Sequence, residues 1–456
     1  KGVFGDKLVI DTRFEDGLFD RGWVGYDRAV ALPASGQMLF AGYLVDTDLA
    51  LWQPLVQLIG SHRKTLVNRP SRGDAVGNWE PRVDLRFDTA TFAETTFSDV
   101  EAVITQHQDE THLAFRSDVA DGLLRLHGDA KKPPNLRLSR LTFGENLLAD
   151  DGLKSRFDPR KFLDIDVQIE QLWVDGDRWG ELAFDVRSEI SGAVFADIEG
   201  DIFGLQMGAD ETLPPIEFFW GFDGENYSSR LIGPVVVGDI GAVFKQFRLP
   251  KIADSESGSL VFDLNWPAQP WRYGRDNISG DFSFELNSGS FYKSASGADV
   301  ALKMISLVNF ANWLRRLQLD FSDVVGQNMS YNSLAGRFAF DRGMAQLAEP
   351  LRMRMPSGRM SMAGDFDLVE ETIDGQLVAT LPVATNLPWV GALLGGLPAA
   401  LGVYLTGKLV EKQVDRLSSI SYKLSGPWDE MDIKVDKIFA AALEPEPEEA
   451  AKPGLD

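Results

Sequence analysis

Residues 337–368 read RFAFDRGMAQLAEPLRMRMPSGRMSMAGDFDL. Apolar side chains recur at alternate positions: Phe338 and Phe340, Met353 and Met355, Met360 and Met362, Phe366 and Leu368. A period of two places each pair on one face of a strand. Asp341-Arg342-Gly343 and Pro356-Ser357-Gly358 separate the runs, and strands joined by such short turns are antiparallel. The same alternation appears upstream in Phe282, Phe284 and Leu286, in Val83, Leu85 and Phe87, and in Ile165, Val167 and Ile169. Further turn signals fall at Asn287-Ser288-Gly289 and Asp374-Gly375. The chain therefore reads as mainly β and predominantly antiparallel.

An internal repeat bears on how the strands are organised. Residues 83–103 (VDLRFDTATFAETTFSDVEAV) align without gaps with residues 165–185 (IDVQIEQLWVDGDRWGELAFD). Asp84 falls on Asp166, Leu85 on Val167, Phe87 on Ile169 and Phe97 on Trp179. The likeness continues to Pro133-Pro134 and Pro214-Pro215, at an offset of about 81 residues. Such a repeat predicts modules stacked in an elongated array; duplicated β-sandwich domains are the alternative.

Helices are fewer. Residues 49–61 and 238–247 read as short helices, and residues 301–317 (ALKMISLVNFANWLRRL) as a longer one with a narrow polar stripe. No charged side chain occurs from Gly375 to Gly407. The second half of that run, LPWVGALLGGLPAALGVYLTG from Leu387, is close to the ~20 residues that cross a bilayer. Its prolines and glycines favour a bent, membrane-surface hairpin over a straight span, with a helical cap on the sheet as the alternative. Residues 441–456, with Glu444-Pro445-Glu446-Pro447, read as a disordered acidic tail. The chain begins Lys1-Gly2-Val3, and we read it as part of a longer or processed protein.

Composition narrows the function. Of 456 residues, 45 are Lys or Arg and 68 are Asp or Glu, a net charge of -23. Nucleic-acid binding needs clustered basic charge, so no nucleic-acid partner is expected. There is no cysteine, which excludes disulfides, zinc–thiolate sites and a cysteine nucleophile. The four histidines are His62, His107, His112 and His127. His107 and His112 are five apart, which on one continuous strand puts them on opposite faces, so no metal site is expected. No phosphate-binding loop, HExxH or GxSxG pattern occurs. Carboxylate pairs such as Asp150-Asp151 and Glu370-Glu371 are what so acidic a chain produces by chance. No catalytic residues, no cofactor and no enzymatic activity are expected.

Residues 276–439 resemble the C-terminal region of the YhdP proteins, members of the AsmA-like superfamily that includes TamB. The resemblance is carried by Ile278-Ser279-Gly280, Gly289-Ser290-Phe291, Leu319-Asp320-Phe321-Ser322-Asp323, Leu334-Ala335-Gly336-Arg337-Phe338, LPVATNLP at 381–388 and Ser425-Gly426-Pro427-Trp428-Asp429. Residues 172–187 and 264–271 match more loosely. The resemblance implies an elongated antiparallel sheet, built of stacked β modules and curled into a groove, with a few short helices near the C-terminal end. It implies an N-terminal β segment over 1–82, two stacked modules over 83–275 and an AsmA-like module over 276–440. It further implies a periplasmic protein that carries phospholipid between the inner and outer membranes, anchored to the inner membrane by a segment outside this chain. Phe282, Phe284, Leu286, Phe338, Phe340, Met353, Met355, Met360, Met362, Phe366 and Leu368 would then line the groove. Trp313, Trp389, Leu393, Leu394, Leu397, Leu401 and Tyr404 would meet the outer membrane. Pattern alone leaves a dry core open, since a sealed interior and a groove both need an apolar face. A scaffold that holds β-barrel clients by strand addition is the alternative function.

Overall fold

The structure is a computed structural model that describes residues 2–4, 7–48, 80–92, 95–107, 109–129, 131–143, 158–208, 212–249, 251–292, 328–356, 358–380, 419–428 and 431–438. The chain forms two compact units, residues 1–202 with 217–227, and residues 203–216 with 228–456.

The first unit contains β1 (Gly2–Phe4), β2 (Leu8–Glu15), β3 (Leu18–Tyr26), β4 (Gln37–Asp48), β5 (Glu80–Phe92), β6 (Thr95–His107), β7 (Glu110–Arg116), β8 (Ala120–His127), β9 (Asn135–Phe143), β10 (Ile165–Val174), β11 (Asp177–Glu189) and β12 (Gly192–Ile202). After the short β13 (Leu205–Met207) of the second unit, it adds β14 (Glu217–Phe222). Each strand from β1 to β12 pairs with the next, and β14 pairs with β12. Tight turns close several hairpins. Asp16 and Gly17 have φ of 51° and 80°, and Asp175 and Gly176 have 51° and 82°. Two consecutive positive φ values match the right-handed twist of the strands they join, and glycine at the second position adopts them without strain.

Three pairs in this unit are parallel, β3–β4, β4–β5 and β9–β10, so the sheet, predominantly antiparallel as the sequence predicts, is locally mixed. Parallel neighbours need a long return connection, and residues 49–79 and 144–164 provide two of them. The repeat follows the same plan. β5–β6 and β10–β11 are equivalent hairpins, each entered through a parallel junction. The two copies lie side by side in one layer, joined by the β9–β10 pairing, and are not separate sandwiches.

The second unit contains β13, β15 (Tyr227–Val237), α1 (Ile240–Gln246), β16 (Ser257–Trp266), β17 (Ser279–Tyr292), β18 (Asn328–Asp341), β19 (Met344–Met355), β20 (Gly358–Asp367), β21 (Thr372–Thr380), β22 (Ser419–Pro427) and β23 (Asp432–Ile438). From β15 to β23 every neighbour is antiparallel. Helix α1 falls where the sequence placed one. Asp239 caps it, its carboxylate accepting from the Gly241 amide at 2.8 Å. Ile240 and Val243 enter the apolar interior. Two expected turns are strand interior instead. Asn287-Ser288-Gly289 lies within β17, with Ser288 at φ 51°, and Asp374-Gly375 lies within β21. The helices read at 49–61 and 301–317, the charge-free run beyond Thr380 and the acidic tail lie outside the described residues.

Candidate functional site

The strand register of the first unit assembles an apolar row. Reading across neighbours, Ile10 stands opposite Val24, then Phe40, Val83, Ile104, Leu113, Leu124, Leu136, Val167 and Phe184. Ten strands contribute ten apolar side chains without interruption. The row beside it runs Leu85, Ala102, Phe115, Gly122, Leu138, Ile169 and Leu182. None of the ten residues of the first row is buried, and Phe40 is 37% exposed. A sheet that packs against a second layer buries such a row; this one leaves it partly in contact with solvent.

The opposite face is charged. Arg86, Glu101, Arg116, Asp121 and Arg140 stand in register on five successive strands with alternating sign. Arg86 bridges Glu101 at 3.0 Å and Arg140 bridges Asp121 at 3.1 Å. An exposed pair such as Arg86–Glu101 adds little stability, about 0–1 kcal/mol, while Arg140–Asp121 is half-buried. They keep that face wetted and confine apolar contact to the other.

Three of the four histidines also lie on the charged face. His107 ends β6 and His112 lies in β7, and their rings stack with centroids 4.6 Å apart. This corrects the expectation of opposite faces, because a hairpin turn lies between them, so the odd spacing no longer alternates. Glu110 accepts from His112 Nε2 at 3.0 Å and from His127 Nδ1 at 3.1 Å. The His112 hydrogen bond comes first among the causes that hold the Glu110 carboxyl below its ordinary range. Among the described residues no group of His, Asp and Glu side chains has metal-binding geometry.

The second unit carries a comparable row that is closed. Val237, Gly258, Leu286, Leu334, Met353, Met360, Ala379 and Ile420 stand in register across eight strands. Every one that carries a side chain beyond glycine is buried. All eleven groove residues singled out in the sequence join this one apolar cluster. Phe284, Leu286, Phe338, Met353, Met360, Met362, Phe366 and Leu368 are buried in it, while Phe282, Phe340 and Met355 pack against it partly exposed. Stacked rings connect Phe262, Phe282, Phe284 and Phe338. Tyr422, opposite Leu377 on β22, is buried in the same cluster, and burial pushes its hydroxyl up to about 12.

The open row of the first unit is the lining that sequence reading missed. Its signal was present, since Leu113 and Phe115 alternate, as do Leu124 and Leu126; these runs are shorter than those of the second unit. The expected membrane-contact residues Trp313, Trp389, Leu393, Leu394, Leu397, Leu401 and Tyr404 lie outside the described residues. Among the described residues no helix is long and apolar enough to cross a membrane.

The first unit is thus a sheet of repeated β modules with one apolar and one charged face, and the family match places the chain among the AsmA-like proteins of the bacterial envelope. The chain belongs to the YhdP family, whose model, described as YhdP protein, matches residues 1–433. No curated protein and no solved structure matches the chain.

Proposed function

We propose that this chain is a non-enzymatic conduit that shields the acyl chains of phospholipid in passage through the periplasm between the inner and outer membranes. The observation that carries this reading is the uninterrupted, partly exposed apolar row from Ile10 to Phe184. Exposing a hydrocarbon chain to water costs about 0.8 kcal/mol per CH₂, or roughly 12 kcal/mol for sixteen carbons. An apolar lane that continues from strand to strand removes that cost at every point of the path. Headgroups stay in water, where no side-chain chemistry is needed. The apolar residues at 387–404 would meet the outer membrane, and an inner-membrane anchor would lie outside this chain.

The alternative, holding client strands at a sheet edge, has weaker support. β23, which among the described residues pairs only with β22, carries exposed Asp432, Lys434, Asp436 and Lys437. Charges along an edge discourage strand addition. Mass spectrometry of an organic extract of the purified protein separates the two readings. The conduit reading expects co-purifying phospholipid. Extracts free of lipid, with bound polypeptide instead, would sink it in favour of the scaffold.

A further inference from the structure

Tyr422 is 2% exposed, and its hydroxyl has no hydrogen-bond partner among the described residues. It lies on the apolar face of β22 between Ile420 and Leu424, opposite Leu377 on one side and Val435 on the other. All four neighbours are hydrocarbon. A buried water needs two or more polar partners, and these four side chains supply none, Val435 being itself exposed on the outer side. On the other face of the same strand the polar groups are satisfied. Gln376 donates to Ser421 Oγ at 2.7 Å, and Thr380 and Ser419 share a hydrogen bond at 2.8 Å. Trp428, which follows β22 and packs against the same cluster, has at Nε1 a second buried donor without a partner among the described residues.

Leaving a buried donor unpaired is costly, and phenylalanine would fill the Tyr422 position without that cost. We infer that Tyr422 is a hydrogen-bond donor to the ester carbonyl of an acyl lipid whose chain lies in the apolar cluster of the second unit, an inference that rests on the conduit reading. The surroundings select this group. A charged phosphate or carboxylate would not leave water for a hydrocarbon interior. An ester carbonyl is a neutral acceptor fixed to an acyl chain, so one ligand satisfies both the hydroxyl and the apolar wall. Admission of a chain is eased by Met362, in the row that reaches Tyr422 through Leu377, and by Met353 and Met360 in the row beside it. Their unbranched thioether side chains rearrange more readily than branched ones.

The test is competition between two phosphatidylethanolamines of equal chain length, one diester and one diether, offered in mixed vesicles to the full chain, with bound lipid quantified by mass spectrometry. The wild-type protein should favour the diester by about tenfold. Tyr422→Phe should bring the ratio close to one and, in the lipid-free state, raise the melting temperature by roughly 1–3 °C. Equal capture of the two lipids by the wild type would overturn the assignment while leaving the conduit intact, and so would an undiminished preference in Tyr422→Phe. Capture of neither lipid would overturn the conduit reading and this inference with it. The wild-type ratio decides the matter even where the variant fails to fold.

Discussion

Phe284 of β17 and Phe338 of β18 lie ring beside ring, centroids 6.4 Å apart and planes 15° from parallel, and both are buried. Their closeness fixes what a charge does at either position. Phe284→Asp removes the stack and leaves a carboxylate without a partner among hydrocarbon. It should lower the stability of the second unit by about 3–5 kcal/mol, read as loss of a cooperative transition in urea. Retention of the wild-type transition would show that this interior admits water.

The open row answers differently. Leu124 is only partly buried between Leu113 and Leu136. Leu124→Asp should therefore fold, with its carboxylate reaching solvent, and should block lipid transfer between vesicles. A variant that transfers lipid at the wild-type rate would show that acyl chains do not use this lane.

Much of this was legible before the structure and some was not, for physical reasons. Met353 faces Met360 across β19 and β20, as alternation around Pro356-Ser357-Gly358 requires. The sequence around Asn287-Ser288-Gly289 is as good a turn, yet β17 runs through it. Gly289 serves another purpose there: a Cβ would come within 2.0 Å of the Asp254 carbonyl. Close approach of a second segment and a tight turn select the same residue, and sequence alone does not separate them. The parallel junctions were hidden because the neighbour of a strand is decided by a long connection, not by the strand. Whether an apolar face is sealed or open depends on what covers it, which is why the sequence groups the eleven residues of the second unit but leaves a groove and a dry core both open for them.

Gly122 tests the packing of the apolar face. A Cβ there would lie 2.8 Å from the Arg137 carbonyl and 2.9 Å from Phe115 Cζ. The ring can move, but the backbone oxygen belongs to the β8–β9 ladder and cannot. Gly122→Val should destabilise the first unit by about 1–3 kcal/mol, and faster amide exchange in β8 and β9 would report it. Exchange rates equal to wild type would show that the strands have room to separate.

Alkaline stability follows from Tyr422 and Tyr331. Burial pushes Tyr422 up to about 12 and Tyr331 higher still, so both are neutral in the folded chain where an unfolded tyrosine ionises near 10. Their contribution is present in full below about pH 10 and is lost as pH rises through the folded values. Unfolding in alkali should set in between about pH 10 and 12, and Tyr422→Phe should move the midpoint upward. A midpoint that does not respond to the substitution would place the transition elsewhere.

In the proposed conduit, lipid travels along one face of the first unit and not the other. Photo-crosslinking side chains placed singly at Ile104, Leu124 and Val167 on the apolar row, and at Arg86 and Arg116 on the charged ladder, address it directly in cells. Phospholipid adducts, identified by mass spectrometry, are expected at the three apolar positions and none at the two charged ones. Adducts on both faces alike, or only protein adducts along the apolar row, would contradict the conduit reading.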